Sequence, residues 1–183
     1  MVVRPVDVDE RQRDGELAEG YLARVVTEKL AAARALPWPS DAHALLVADT
    51  MVTIAESQAR GAGEDPEQRI LHKPVDDDDG RRMLRALAGR AHHVTTRFVI
   101  ASHAGRTHTE SVVTRVQFRN LHEDEITAYL ESGEGRDKAG GYAIQGRAGA
   151  FISRVEGSYG AVVGLPPCEV TMALRKLMTT AVL

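Results

Sequence analysis

The chain has 183 residues, 43% hydrophobic and 27% charged, with a formal net charge of −3; that is enough for one sizeable core, too little for two full domains, and far from the polar bias of a disordered chain. The mild acidity removes any general electrostatic reason to bind the polyanionic backbone of nucleic acid, while a few cations focused in one cleft still suit a small anionic ligand. Cys168 is the only cysteine, which excludes an intrachain disulfide and a multi-cysteine metal site; with no apolar signal core and no run of about 18 apolar residues, the expectation is a cytoplasmic protein without a membrane span.

Residues 16–36 carry Leu17, Tyr21, Leu22, Val25, Val26 and Leu30 at helical spacings and end at the breaker Pro37-Trp38-Pro39. Ala44-Leu45-Leu46-Val47-Ala48 is short and apolar on both faces, as expected of a buried strand covered on both sides, and Asp49-Thr50 follows it. Ligands of open α/β sheets gather at the carboxyl ends of strands, so this reading puts Asp49 at the mouth of a cleft. From Glu56 to Gln68 the composition turns to Gly, Glu, Asp, Gln and Pro without periodicity, which predicts a weakly ordered surface loop.

Asp76 to Asp79 lead into Met83, Leu84 and Leu87, where an Asp caps a helix and its neighbours complement the positive dipole end; Gly89 marks the stop. Val94–Ile100 and Glu110–Phe118 are rich in Val, Thr, Ile and Phe and flank His103-Ala104-Gly105, the pattern of a hairpin. A further helix is expected over Glu123–Glu131 with Ile126, Tyr129 and Leu130 inward and Gly133 beyond its end. Glycines crowd residues 133–149, as where a chain turns tightly or approaches a ligand, and a last helix is expected over Val170–Met178 after Pro166-Pro167.

Several separated motifs, in order and at matching spacing over nearly the whole chain, resemble the Maf family of nucleotide pyrophosphatases. They are Val8-Asp9-Glu10, Ala48-Asp49-Thr50, Lys73-Pro74, Gly89-Arg90, Asp137-Lys138-Ala139-Gly140, Ile144-Gln145-Gly146, and Glu156-Gly157-Ser158-Tyr159 with Val162-Val163-Gly164-Leu165-Pro166. The resemblance implies a single α/β domain over residues 1–183, a mixed twisted sheet flanked by helices around a central nucleotide cleft. It also implies hydrolysis of a nucleoside triphosphate between the α and β phosphates, a divalent metal such as Mg or Mn, and a homodimer. Tyr142-Ala143-Ile144-Gln145-Gly146 resembles the branch acting on dTTP and UTP.

Residue by residue, Asp49 matches the family's general base, which would deprotonate or orient the attacking water. Lys29, Lys73 and Lys138 would neutralise phosphate oxygens, and Glu10 would help hold a hard metal ion through oxygen, although it lies close to the chain start, where fraying is common. Thr50 and Gln145 match positions linked to nucleotide choice, and the amide of Gln145 donates and accepts at once, as reading a pyrimidine edge requires.

Other polar groups have plainer readings. Asp76–Asp79 point in different directions around a first turn, His92-His93, His103 and His108 lack a converging ligand set, and Cys168 has no activating partner and reads as a small buried residue.

This sequence departs from the family pattern in four places, one of them a loop at 56–68 that looks enlarged. Family chains open with a strand and a Ser-x-Ser-Pro-Arg-Arg-type loop that cradles phosphate, whereas this one starts just upstream of Val8-Asp9-Glu10; His72 stands where a glycine is usual, and Gly160-Ala161 where Ser-Asn is usual. The first strand and loop are therefore expected to be missing. Either a start has been lost, with about two dozen residues, or the chain is a noncatalytic nucleotide-binding regulator of cell division; the survival of Asp49, Lys73, Lys138 and Gln145 favours the enzyme.

Overall fold

The period-2 alternation of β1 (Ala44–Ala55) organises the molecule. Its odd-numbered residues Leu45, Val47 and Met51 meet Leu22, Val25 and Val26 of helix α1 (Ala18–Ala35), while its even-numbered residues supply the opposite face. There Ala44, Leu46 and Ala48 pack with Phe98 and Ile100 against α5 (Pro167–Thr179), and Val52 and Ile54 pack against Met83, Leu84 and Leu87 of α2 (Asp77–Leu87). The computed structural model describes residues 2–39, 41–55 and 68–179.

Five strands form one sheet in the order β2-β1-β3-β4-β5, with β2 Gln68–Leu71, β3 Ala91–Ser102, β4 Thr107–Phe118 and β5 Ile152–Glu156. Every pairing among the described strands is antiparallel. Helix α1 covers one face; α2, α3 (Glu123–Ser132), α4 (Tyr159–Val163) and α5 cover the other, in keeping with the expected α/β class. Fully enclosed side chains such as Val25, Leu84, Leu87, Phe98 and Ile100 each contribute about 1.5–3 kcal/mol relative to exposure. No helix among the described residues is long and apolar enough to cross a membrane.

Most predicted elements appear with wider bounds. The hairpin strands run longer than their apolar cores because cross-strand pairing continues through polar residues as far as Ala101 opposite Thr107. Asp76 caps α2 by accepting from the Asp79 amide at 2.7 Å, and Gly133 closes α3 in the left-handed conformation. The predicted loop at 56–68 falls outside the described residues except for Gln68, which begins β2 and accepts a hydrogen bond from Thr53.

Two expectations are corrected. Asp49 and Thr50 do not follow the end of a strand: β1 continues to Ala55, and Asp49 sits opposite Arg97 in mid-strand. Cys168 is exposed rather than buried, because Val170, Ala173 and Leu177 form the inward stripe of α5 and direct it away from the sheet.

Asp49 is nonetheless only partly buried in mid-strand, and the neighbouring β2 is short. It pairs only with Val52–Ala55, so among the described strands nothing pairs with that edge of β1 from Ala44 to Met51.

The glycine-dense segment folds back with almost no clearance. A side-chain carbon on Gly135 would overlap the Gly141 carbonyl, so Gly135→Ala must push the segment away from Tyr129. It is expected to destabilise the fold by about 3 kcal/mol, in the range of overpacked cores, when measured by denaturant unfolding. A loss below half a kcal/mol would show that the segment is not tightly seated.

Candidate active site

Helix α1 brings Lys29 to the sheet because residue 29 lies three, four and seven positions after Val26, Val25 and Leu22 and so continues their buried stripe. Its ammonium meets the Asp49 carboxylate at 2.5 Å and the Glu10 carboxylate at 2.6 Å. The second oxygen of Glu10 reaches Lys73, just beyond β2, at 3.2 Å. Two carboxylates and two ammonium groups therefore form one continuous cluster.

The cluster lies in an open cleft of about 540 Å³ that also includes Gln12, Tyr21, Thr50, His72 and Ala139. A larger cleft of about 620 Å³ beside Trp38, Leu36 and Leu45 is mainly apolar and holds none of the paired charges.

Glu10 is anchored rather than frayed. Arg24 donates to the carbonyls of Asp9 and Arg11 on either side of it, at 3.0 and 2.9 Å, and is itself gripped by Glu16 at 2.7 and 2.9 Å. Val6 and Val8 pack against the α1 cluster just upstream.

Burial raises the Asp49 carboxyl above its ordinary value, against the pull of Lys29. The same burial would depress Lys29, but its hydrogen bonds to Asp49 and Glu10 prevail and the ammonium is held up. Glu10 suffers desolvation too, yet it is more open and its two lysines leave it lowered. Tyr21 beneath the cluster is pushed up to about 12 by burial and by the negative charges of Asp49 and Glu10. The cleft thus contains one carboxylate of raised basicity beside one that stays ionised.

Thr50 turns to the opposite face of β1. Its hydroxyl meets that of Thr96 at 2.7 Å, and Thr96 donates to the Ala161 carbonyl of α4 at 2.6 Å.

Lys138 is exposed and paired with Asp137 at 2.8 Å. The segment that carries it is hooked beside Lys73 by the bond from the Gly140 amide to the His72 carbonyl, 3.1 Å. Gln145 is exposed on a turn outside the Lys29 cluster. That turn is clamped from below: the Tyr129 hydroxyl accepts from the Ala143 amide at 3.0 Å, and Glu134 accepts from the Arg147 amide at 2.7 Å. Tyr142 shares a 2.7 Å hydrogen bond with buried His92.

The structure therefore gathers Glu10, Lys29, Asp49 and Lys73 directly, sets Lys138 on a segment docked beside Lys73, and leaves Thr50 and Gln145 on separate supports. Sequence reasoning passed over Tyr21, Gln12 and Thr96. Tyr21 was legible as the first inward residue of the Lys29 stripe. His72 had been noticed only as a departure; it packs edge-on to Tyr21 at 5.4 Å and meets Gln12 at 3.1 Å.

The sequence profile of the family described as Maf-like protein matches residues 1–177. The chain is 42% identical to a dTTP/UTP pyrophosphatase of Hahella chejuensis over 174 residues, which is 95% of this chain and 80% of that protein. It is 43% identical to the dTTP/UTP pyrophosphatase of Shewanella oneidensis over 170 residues, 93% of this chain and 81% of that protein. A protein of the same name from Anaeromyxobacter dehalogenans is 43% identical over 177 residues, 95% of this chain and 81% of the relative. With the profile spanning almost its whole length, the chain belongs to the Maf-like protein family.

Proposed function

We propose that this protein is a nucleoside triphosphate pyrophosphatase that hydrolyses dTTP and UTP to the monophosphate and pyrophosphate. The observation that carries this reading is the Asp49–Lys29–Glu10–Lys73 cluster in one open cleft, together with the names of the relatives. In the reaction, water adds to phosphorus, the α–β bridge breaks, and the water's proton passes to a base. Asp49 is that base: it is carboxylate-basic beyond the ordinary, and Lys29 fixes its orientation. Lys73 and Lys138, both substantially exposed, supply mobile positive charge to the phosphates.

The donor set also suits a divalent cation. No cluster of three or more His, Cys, Asp or Glu exists among the described residues, but Glu10 and Asp49 present hard oxygens on either side of one cationic position. An ion of the Mg or Mn type commonly takes one or two carboxylates and completes its shell with substrate phosphates and water. Glu10, more open than Asp49, is the residue that would hold it. Bound there, the ion would offset the triphosphate charge and polarise phosphoryl oxygens. With Glu10 holding the ion, Lys73 would be available to the substrate phosphates, and Lys29 would stay with Asp49.

Asp49→Asn should cut pyrophosphate release from dTTP by at least about a hundredfold while nucleotide binding by calorimetry persists. Wild-type protein that binds dTTP or UTP with Mg²⁺ and yields no pyrophosphate would refute turnover.

The acid limb of the pH–rate profile gives an independent check. Asp49 must be ionised to accept a proton, so activity is lost as pH falls through its raised pKa, above the ordinary 3.8. Lys29 stabilises the anion, so Lys29→Met should move that limb to higher pH. A limb that moves lower, or stays in place, would remove Lys29 as the partner that sets Asp49.

A further inference from the structure

His72, one of the departures from the family pattern, lines the charged cleft beside Lys73, just beyond the end of β2. Its ring is held on two sides, edge-on to Tyr21 at 5.4 Å and by Nε2 against the side-chain amide of Gln12 at 3.1 Å. The amide fixes where the proton sits. Its nitrogen donates to the Glu16 carbonyl at 2.7 Å, and a carbonyl only accepts, so the end of Gln12 that faces His72 is its oxygen. Nε2 is therefore the protonated nitrogen of the neutral ring. Nδ1 keeps its lone pair, and a second proton there leaves both contacts in place.

The charges around this ring are matched. Glu10 and Asp49 pair with Lys29 and Lys73, Asp9 with Arg11, Glu16 with Arg24, and Asp137 with Lys138 on the segment whose Gly140 amide binds the His72 carbonyl. The remaining titratable neighbour, the Tyr21 phenol, is pushed up to about 12 and stays neutral. These neighbours exert no net pull on a proton, so burial dominates and lowers the basicity of His72. A polyphosphate changes that balance. It brings several negative charges into the same cleft, more than one divalent ion neutralises, and anions near an imidazole favour its charged form.

We infer that His72 is a further substrate-binding residue, an imidazole that takes up a proton at Nδ1 when a polyphosphate enters the cleft and so adds a positive charge beside Lys73. This rests on the pyrophosphatase reading of the cleft. The proton comes from solvent, and no bond of the nucleotide changes. Lys29 carries its charge at all times and is engaged by two carboxylates; the charge of His72 exists only with the ligand, which spares the free cleft another cation next to Lys73. Because the bound state has the higher pKa, the added affinity is present at low pH and is lost as pH rises through that value.

The test is calorimetric binding of the α,β-imido analogue of UTP, which resists hydrolysis at that bridge, with Mg²⁺ at about pH 5.5 and about pH 8, either side of the ordinary histidine range. Wild type is compared with H72Q and H72K, and thermal unfolding checks folding. The advantage of wild type over H72Q should grow by about fivefold from the higher pH to the lower, the effect of a rise of about one pKa unit. H72K, charged at both values, should lose this pH-dependent part. A structural role alone would weaken H72Q equally at both, and that result overturns the inference. If H72Q does not fold, ring NMR of the seven histidines of the wild type decides: one ring must titrate at higher pH with the analogue bound, and no such shift also overturns it. No binding by the wild type at either pH would instead overturn the pyrophosphatase reading itself.

Discussion

The site depends on one ammonium group. Lys29 Nζ lies between the carboxylates of Asp49 and Glu10, which come from a helix-covered strand and from the segment leading into α1. Two carboxylates brought this close repel each other and resist ionisation unless a cation stands between them. Lys29 is that cation, and it reaches the position because α1 is seated on the odd-numbered residues of β1 through Leu22, Val25 and Val26. Hydrophobic packing of the helix thereby sets an electrostatic distance. The same arrangement separates the two acids chemically: the more buried Asp49 is raised and the more open Glu10 is lowered.

Of the residues named from sequence, Glu10, Lys29, Asp49, Thr50 and Lys73 line the cleft and Lys138 and Gln145 do not, and sequence said little of how any of them is held. The amphipathic stripe of α1, the cap at Asp76 and the hairpin were legible because local periodicity and capping chemistry dictate them. The place of Asp49 within β1 was not. The apolar run ends at Ala48, but pairing with β3 carries the strand on through polar residues, and long-range hydrogen bonds of that kind leave no local pattern. Glu10 likewise looked like a residue near a loose end, because its anchor, Arg24, lies on the next helix turn-by-turn away from it and its grip is on backbone carbonyls rather than on a partner side chain.

The departures from the family pattern read differently once packed. His72 does more than replace a glycine: its ring lies against Tyr21, it meets Gln12, and its carbonyl receives the Gly140 amide that docks the Lys138 segment. At Gly160 a side-chain carbon would collide with the ring of Pro167, so the absence of a side chain there is matched to the start of α5. The Ala161 that follows accepts from Thr96 through its carbonyl, a bond that does not involve its side chain.

Asp49 and Thr50 are adjacent in sequence, so on a strand they must face opposite sides of the sheet. Among the described strands β2 pairs only with Val52–Ala55 of β1, and further along the strand the Lys29 cluster lies on one face and the Thr50–Thr96 hydroxyl pair on the other. The odd side of β1 carries the charged cluster and the even side a hydroxyl pair tied to α4, so alternation along one strand supports two chemically different surfaces.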